Sequence, residues 1–140
     1  MEQFIIKATV DNLGKTLDFA SAELERNNIP AHLQPDILVA VEEIFVNITQ
    51  YAYPPGQEGD VSLYISVDDK VIIRFEDTGQ PFDPLEKADP VLGTSLMERE
   101  IGGLGIYLVK NLMDEAEYRY ADGKNVFTVT KAFISEGKVK

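Results

Sequence analysis

Hydrophobic and polar positions along this chain alternate in two rhythms, one close to two residues and one close to three and a half. Apolar and β-branched residues crowd Phe4 to Val10 and predict an opening strand. Asp11 and Asn12 offer an N-cap, after which Leu13, Leu17, Ala20 and Leu24 recur at helical spacing as far as Asn27-Asn28. Pro35, with Asp36 in the first turn, opens a second helix whose apolar stripe is Ile37, Val41, Ile44 and Ile48. That helix must stop before Pro54-Pro55-Gly56. Val61, Leu63, Ile65 and Val67 then alternate, Asp68-Asp69 turns the chain, and Val71, Ile73 and Phe75 alternate again as the return strand of a hairpin. From Gln80 to Gly102 the periodicity is weak and Pro81, Pro84 and Pro90 interrupt it, which predicts a long loop of the kind that usually carries function. A third helix is expected from about Leu104 to Met113. Tyr118 to Ala121 and Val126 to Phe133 close the chain as a hairpin around Asp122-Gly123. The order β-α-α-β-β-loop-α-β-β suits an α+β fold in two layers, with helices on one face of a mixed sheet.

Composition narrows the chemistry more than the fold. The 140 residues contain no repeat or low-complexity run and are read as one domain, 1–140. Cysteine is absent and His32 is the single histidine, so thiolate and histidine metal sites are both disfavoured. A net charge of −11 argues against direct binding of nucleic acid. An anionic ligand would have to be held by local features that oppose this field, such as backbone amides, a helix N-terminus or a cation. The amino-terminal apolar run is too short for a signal peptide and no later segment approaches a membrane span, so a cytoplasmic location is expected.

Three short strings carry candidate chemistry. Glu43 and Asn47 share one face of the second helix, beside its apolar stripe. A carboxylate and an amide oxygen so placed can hold a hydroxyl and a hard cation together, although a lone E-x-x-x-N is more often a solvated helix face. Asp77-Thr78-Gly79 follows an apolar strand directly; the carboxylate can accept from an exocyclic amine, and Gly79 lets the backbone approach a flat ring. Alone, this D-x-G is a common turn. Gly102-Gly103-Leu104-Gly105 opens the third helix, where free amides and the helix dipole favour phosphate; a tight loop-to-helix joint explains it equally well. No G-x-x-x-x-G-K-[ST], Rossmann fingerprint, or H-R-D and D-F-G pair occurs, and His32 has no nucleophile near it in the sequence, reading instead as a surface or capping residue.

Taken in order, the strings resemble the GHKL ATPases, whose fold is the Bergerat two-layer sandwich. The nearer resemblance is to the anti-sigma factor serine-protein kinases of bacterial partner switching. Residues 43–53 are similar to their N-box, 77–84 to their first glycine box, and 102–115 to their second, so that nearly the whole chain is covered. The resemblance implies that Glu43 orients or deprotonates the attacking hydroxyl and that Asn47 is a ligand of Mg²⁺ bound with ATP. It implies that Asp77 receives the adenine amino group, Gly79 packs the ring, and Gly103, Leu104 and Gly105 offer amides to the phosphates. Residues 83–102 would form an ATP lid, with Arg99 as a phosphate or partner contact, and Thr128 or Thr130 would sit near adenine. Two departures stand out: Tyr51 where many relatives carry histidine, and Ile101 where several carry a charged residue.

The activity implied is phosphoryl transfer from MgATP to a serine or threonine of an anti-anti-sigma protein, together with sequestration of a sigma factor. A homodimer is expected on the same ground. The alternative is a nucleotide-binding anti-sigma module without kinase turnover, which would not need a general base at Glu43.

Overall fold

The computed structural model describes residues 2–86 and 101–133. Strand β1 (Glu2–Lys7) leads through a 3-10 turn at Val10–Asn12 into helix α1 (Leu13–Arg26), and α2 (Gln34–Tyr51) follows. A hairpin of β2 (Asp60–Val67) and β3 (Lys70–Asp77) comes next, then α3 (Ile101–Leu112) and the closing hairpin of β4 (Glu115–Ala121) and β5 (Lys124–Ala132). The element order is the one that hydrophobic periodicity predicts.

Local chemistry explains the joints. Asn12 stands at the start of α1, but its amide donates to the Lys7 carbonyl rather than capping the helix. Asn28 leaves α1 in the left-handed region (φ 57°), a conformation that asparagine tolerates better than most residues. Asp122 and Gly123 both have positive φ (55° and 76°), as a two-residue hairpin turn matched to strand twist requires.

The five strands form one sheet in the order β1-β2-β3-β5-β4. Every pairing is antiparallel, so the expectation of a mixed sheet is corrected. The reason lies in one insertion. The crossover through α3 returns β4 in the same direction as β3, as a β-α-β unit would, but β5 lies between them and runs the other way.

The α+β class and the helices on one face are as expected. Sheet residues Val61, Leu63, Ile65, Val71, Ile73, Phe75, Phe127 and Val129 are buried beneath the helices. From the helices come Ala20 and Leu24 of α1, Ile37, Val41, Ile44, Phe45 and Ile48 of α2, and Val109 of α3. The period-2 strand pattern and the α2 stripe thus meet in one core. The other sheet face is polar in part: Arg74 lies 4.4 Å over the Tyr64 ring and pairs with Glu76 at 2.9 Å.

One contact fastens the end of β3 to the end of α2. The Gln80 N–H donates to the Ala52 carbonyl at 2.8 Å, and a Cβ on Gly79 would lie 2.1 Å from that same oxygen. Glycine is therefore required at 79 by helix–loop packing. Replacing it with alanine (Gly79→Ala) is expected to destabilise the protein by about 2 kcal/mol or more through overpacking. Urea denaturation followed by circular dichroism checks this, and an unchanged midpoint would show that the α2 terminus yields.

Candidate functional site

The site begins where β3 ends and β5 starts. Asp77 and Asn125 face each other across the strands and lie on the core side, in line with Phe75 and Phe127. Both are buried, at 6% and 5% exposure, although both are polar. Their pairing meets that cost. The Asn125 Nδ2 donates to Asp77 Oδ1 at 2.9 Å and to the Gln80 carbonyl at 2.9 Å. Its Oδ1 accepts from the Phe82 N–H at 3.1 Å and from the Tyr118 hydroxyl. The Gly79 N–H also donates to Asp77 Oδ1, at 2.9 Å. Asp77 Oδ2 makes no hydrogen bond among the described residues. Burial raises the Asp77 carboxyl above its ordinary range, while the hydrogen bonds from Asn125 and Gly79 oppose that rise.

A pocket opens from this pair toward α2 and α3. Its walls include Ile44, Asn47 and Ile48 of α2, Phe75, Ile106 of α3, Phe127, and the loop residues Phe82 and Pro84. It is apolar with a few polar groups directed inward, the usual character of a small-molecule site. Asn47 is only 8% exposed, and its amide makes no hydrogen bond among the described residues. With no partner in the protein, the amide is available to a ligand in the pocket that Asn47 lines.

Glu43 lies one turn before Asn47 on α2, half-buried at the junction with α3. Burial, then the neighbouring Glu42, raise its carboxyl above the ordinary range. Gly105 makes room for it: a Cβ there would lie 2.4 Å from Glu43 Oε2. Helix α3 begins at Ile101, three residues before the expected start at Leu104. The Gly105 N–H therefore falls inside the helical hydrogen-bond pattern, aimed at the Ile101 carbonyl, and is not one of the free first-turn amides. Its value at this position is steric. Gly103 remains in the first turn, where amides can face an anion, whereas the Leu104 N–H is the first to enter the helical pattern.

Of the predicted residues, Asn47 and Asp77 line the pocket, Glu43 lies one helical turn from Asn47 against Gly105, and Gly79 lies against the end of α2. Gly79 belongs there for a different reason from the one expected, since its missing side chain admits the α2 terminus. Thr128 and Thr130 do not join them. Thr128 pairs with Arg74 and Glu117, and Thr130 with Ile72 and Glu115, on the opposite face of the sheet from Asp77. Period-2 alternation gives the inward position near the pocket to Asn125, which the sequence reading passed over. Arg99 and most of the expected lid, 87–100, lie outside the described residues, as does the side chain of Ile101. Tyr51 stacks on Phe82 with ring centroids 4.7 Å apart, and its carbonyl accepts from Gln80 Nε2 at 2.8 Å. His32 is exposed, as expected.

No three His, Cys, Asp or Glu side chains gather as a metal cluster among the described residues. A Mg²⁺ ion that travels with phosphates needs little from the protein, because it keeps several waters and takes oxygens from its nucleotide. The unpartnered Asn47 amide oxygen fits that demand. No helix of the described residues is long and apolar enough to cross a membrane.

Comparison with known proteins agrees with this geometry. The model of the histidine kinase-like ATPase domain matches residues 6–131. The serine-protein kinase RsbW of Bacillus licheniformis is 30% identical over 141 residues, covering 96% of this chain and 80% of that protein. RsbW of Listeria monocytogenes serovar 1/2a is 29% identical over 110 residues, covering 75% of this chain and 69% of that protein. The solved RsbU and RsbW domains of Rv1364c from Mycobacterium tuberculosis share the fold, with a TM-score of 0.62 over 94% of this chain at 17% identity. This chain spans 32% of that one's length. Fold and pocket together define an ATPase-type nucleotide domain. The chain belongs to the histidine kinase-like ATPase domain family, on the branch of the RsbW serine-protein kinases.

The raised Asp77 carboxyl has a consequence for stability. Its folded pKa exceeds its unfolded one, so the folded state binds more protons in the window between them. Stability from this group is therefore lost as pH rises through that window. Asp77→Asn keeps an oxygen for the Gly79 and Asn125 donors and removes the buried charge. The variant without ligand is expected to melt at or above the wild-type temperature near neutral pH, with a weaker dependence on pH. Differential scanning calorimetry from pH 4 to 8 checks this, and a clearly lower melting temperature at pH 7 would contradict it.

Proposed function

We propose that the chain binds MgATP in the gap between α2, α3 and the sheet, and transfers the γ-phosphoryl group to a serine or threonine hydroxyl of an anti-anti-sigma protein. On this reading it also holds a sigma factor until the phosphorylation state of the partner changes. The observation that carries the proposal is that Asp77 and Asn47 line one apolar pocket, with Glu43 one helical turn from Asn47. Asp77 has one carboxylate oxygen bonded and one open, Asn47 is buried without a partner, and Glu43 is seated against Gly105.

Asp77 Oδ2 accepts the exocyclic amine of adenine, and Phe127, Ile106 and Ile48 cover the ring. Asn47 would hold Mg²⁺, which when bound would neutralise charge on the phosphate oxygens. First-turn amides of α3 face the phosphates. Glu43 accepts the proton of the incoming hydroxyl as its oxygen bonds to phosphorus. The bond from phosphorus to the ADP oxygen breaks in the same transfer. A raised carboxyl pKa suits this task, since a base closer in pKa to the working pH both accepts and returns a proton readily. The product phosphate adds about two negative charges to the partner, enough to change which surfaces it prefers.

Phosphoryl transfer to a partner protein and calorimetric ATP binding separate this kinase from a nucleotide-binding module without turnover. Glu43→Gln is expected to lower the transfer rate by about a hundredfold or more while ATP affinity stays within a few fold. Wild-type rates of transfer from that variant would remove Glu43 from the mechanism. Asn47→Ala is expected to weaken ATP binding about tenfold or more when Mg²⁺ is present and far less when it is chelated. An equal loss in both conditions would contradict the metal assignment. Gly105→Ala tests the steric seat of Glu43: a Cβ there displaces the carboxylate, so transfer falls while ATP remains bound.

A further inference from the structure

Asn125 is the one polar side chain in the pocket whose full hydrogen-bonding capacity is used. Both Nδ2 protons are donated, to Asp77 Oδ1 and the Gln80 carbonyl, and both lone pairs of Oδ1 accept, from the Phe82 N–H and the Tyr118 hydroxyl. Its partners also fix which way the amide points. The Phe82 N–H can only donate, whereas the Gln80 carbonyl can only accept and an ionised Asp77 likewise. A flipped amide would oppose like groups at three of its four contacts. Tyr118, across the hairpin from Phe127, is held in its protonated, donating form by burial.

This arrangement determines what Asp77 can offer. With Oδ1 taken by the Gly79 N–H and by Asn125, the carboxylate plane is set, and Oδ2 is its one remaining acceptor toward the pocket. An acceptor there pairs with the amine of adenine and opposes the carbonyl of guanine. No donor of Asn125 is left over that a guanine carbonyl could recruit. The same amide ties Gln80 and the pocket-lining Phe82 to the start of β5.

We propose that Asn125, seated by Tyr118, is a positioning residue for nucleobase selection: it holds Asp77 with a single acceptor toward the base and so makes the pocket prefer adenine over guanine. The inference rests on the ATP-binding reading above and adds to it a residue that acts through Asp77 rather than on the nucleotide. Without Asn125 the carboxylate can turn, or take up a water that donates toward a guanine carbonyl, and the preference shrinks. A residue important only for folding would instead weaken both nucleotides alike.

The test is calorimetric titration of the full chain with MgATP and MgGTP. Asn125→Ala and the isosteric Asn125→Asp are each expected to weaken ATP binding about tenfold and to reduce the ATP-to-GTP affinity ratio by a similar factor. Asn125→Asp is the sharper variant, since it keeps the shape of the side chain but sets an acceptor against Asp77 Oδ1. If neither variant folds, Tyr118→Phe, which removes only the hydroxyl behind Asn125, is expected to lower the ratio at least twofold. Wild type that prefers ATP, alongside folded variants that keep its ratio, would overturn the role of Asn125 and leave the ATP site intact. Wild type that binds neither nucleotide would overturn the ATP reading and the selection device with it.

Discussion

A carboxylate buried at the end of a strand, with one oxygen bonded and the other left open, is the constraint around which this molecule is arranged. An ionised group at 6% exposure is tolerated only if it is hydrogen-bonded, so the residues around Asp77 have little freedom. The chain must turn at once to bring the Gly79 amide back to the carboxylate. That turn presses position 79 against the α2 terminus, where no side chain larger than hydrogen fits. The opposite strand must present a donor at the paired position, and Asn125 does so. Helix α2 must in turn end close to β3, which places Asn47 and Ile48 over the same gap.

Sheet topology makes this possible. Because β5 is inserted between β3 and β4, the two central strands are antiparallel, and the end of β3 meets the start of β5 at one edge of the sheet. Asp77 and Asn125 can then be direct partners. A crossover that left β4 beside β3 would have placed a parallel neighbour there, with its pairing staggered and its residues drawn from another part of the chain. The single difference from the expected mixed sheet is therefore also what builds the pocket floor.

The elements were legible because each obeys one rhythm. The α2 stripe at Ile37, Val41, Ile44 and Ile48 is buried in full, and the 61–67 and 71–75 alternation became a hairpin with the predicted faces. Glu43, Asn47 and Asp77 were legible through the order of their strings, since no single string was decisive. Asn125 was hidden by its own strand. Val126 and Phe127 are adjacent, both apolar and both buried, so β5 does not announce which of its faces is inward. Without that face the threonines at 128 and 130 looked as well placed as any neighbour. The start of α3 was missed because glycines argue against helix interior, roughly 1 kcal/mol each, whereas here packing against Glu43 and α2 outweighs propensity. Pairing across strands and contact across helices are long-range facts, and one-dimensional periodicity does not encode them.

The two carboxyls of the site each carry a cost that the fold relieves only in part. Asp77 is held against desolvation, and Glu43 has its pKa raised by burial and then by the like charge of Glu42 beside it. Such groups lower the stability of the unliganded fold, and a pocket selected for stability alone would have replaced them with apolar side chains. A nucleotide that satisfies them stabilises the folded state by binding it and not the unfolded chain, by about 2.7 kcal/mol at a hundredfold excess over Kd. Helix α2 supplies both Glu43 and Asn47 and also packs on α1 and α3, so a ligand held by these residues would touch the element on which both other helices rest. On the function proposed above, that shared element is a physical route by which the state of the nucleotide would alter the surface offered to a protein partner.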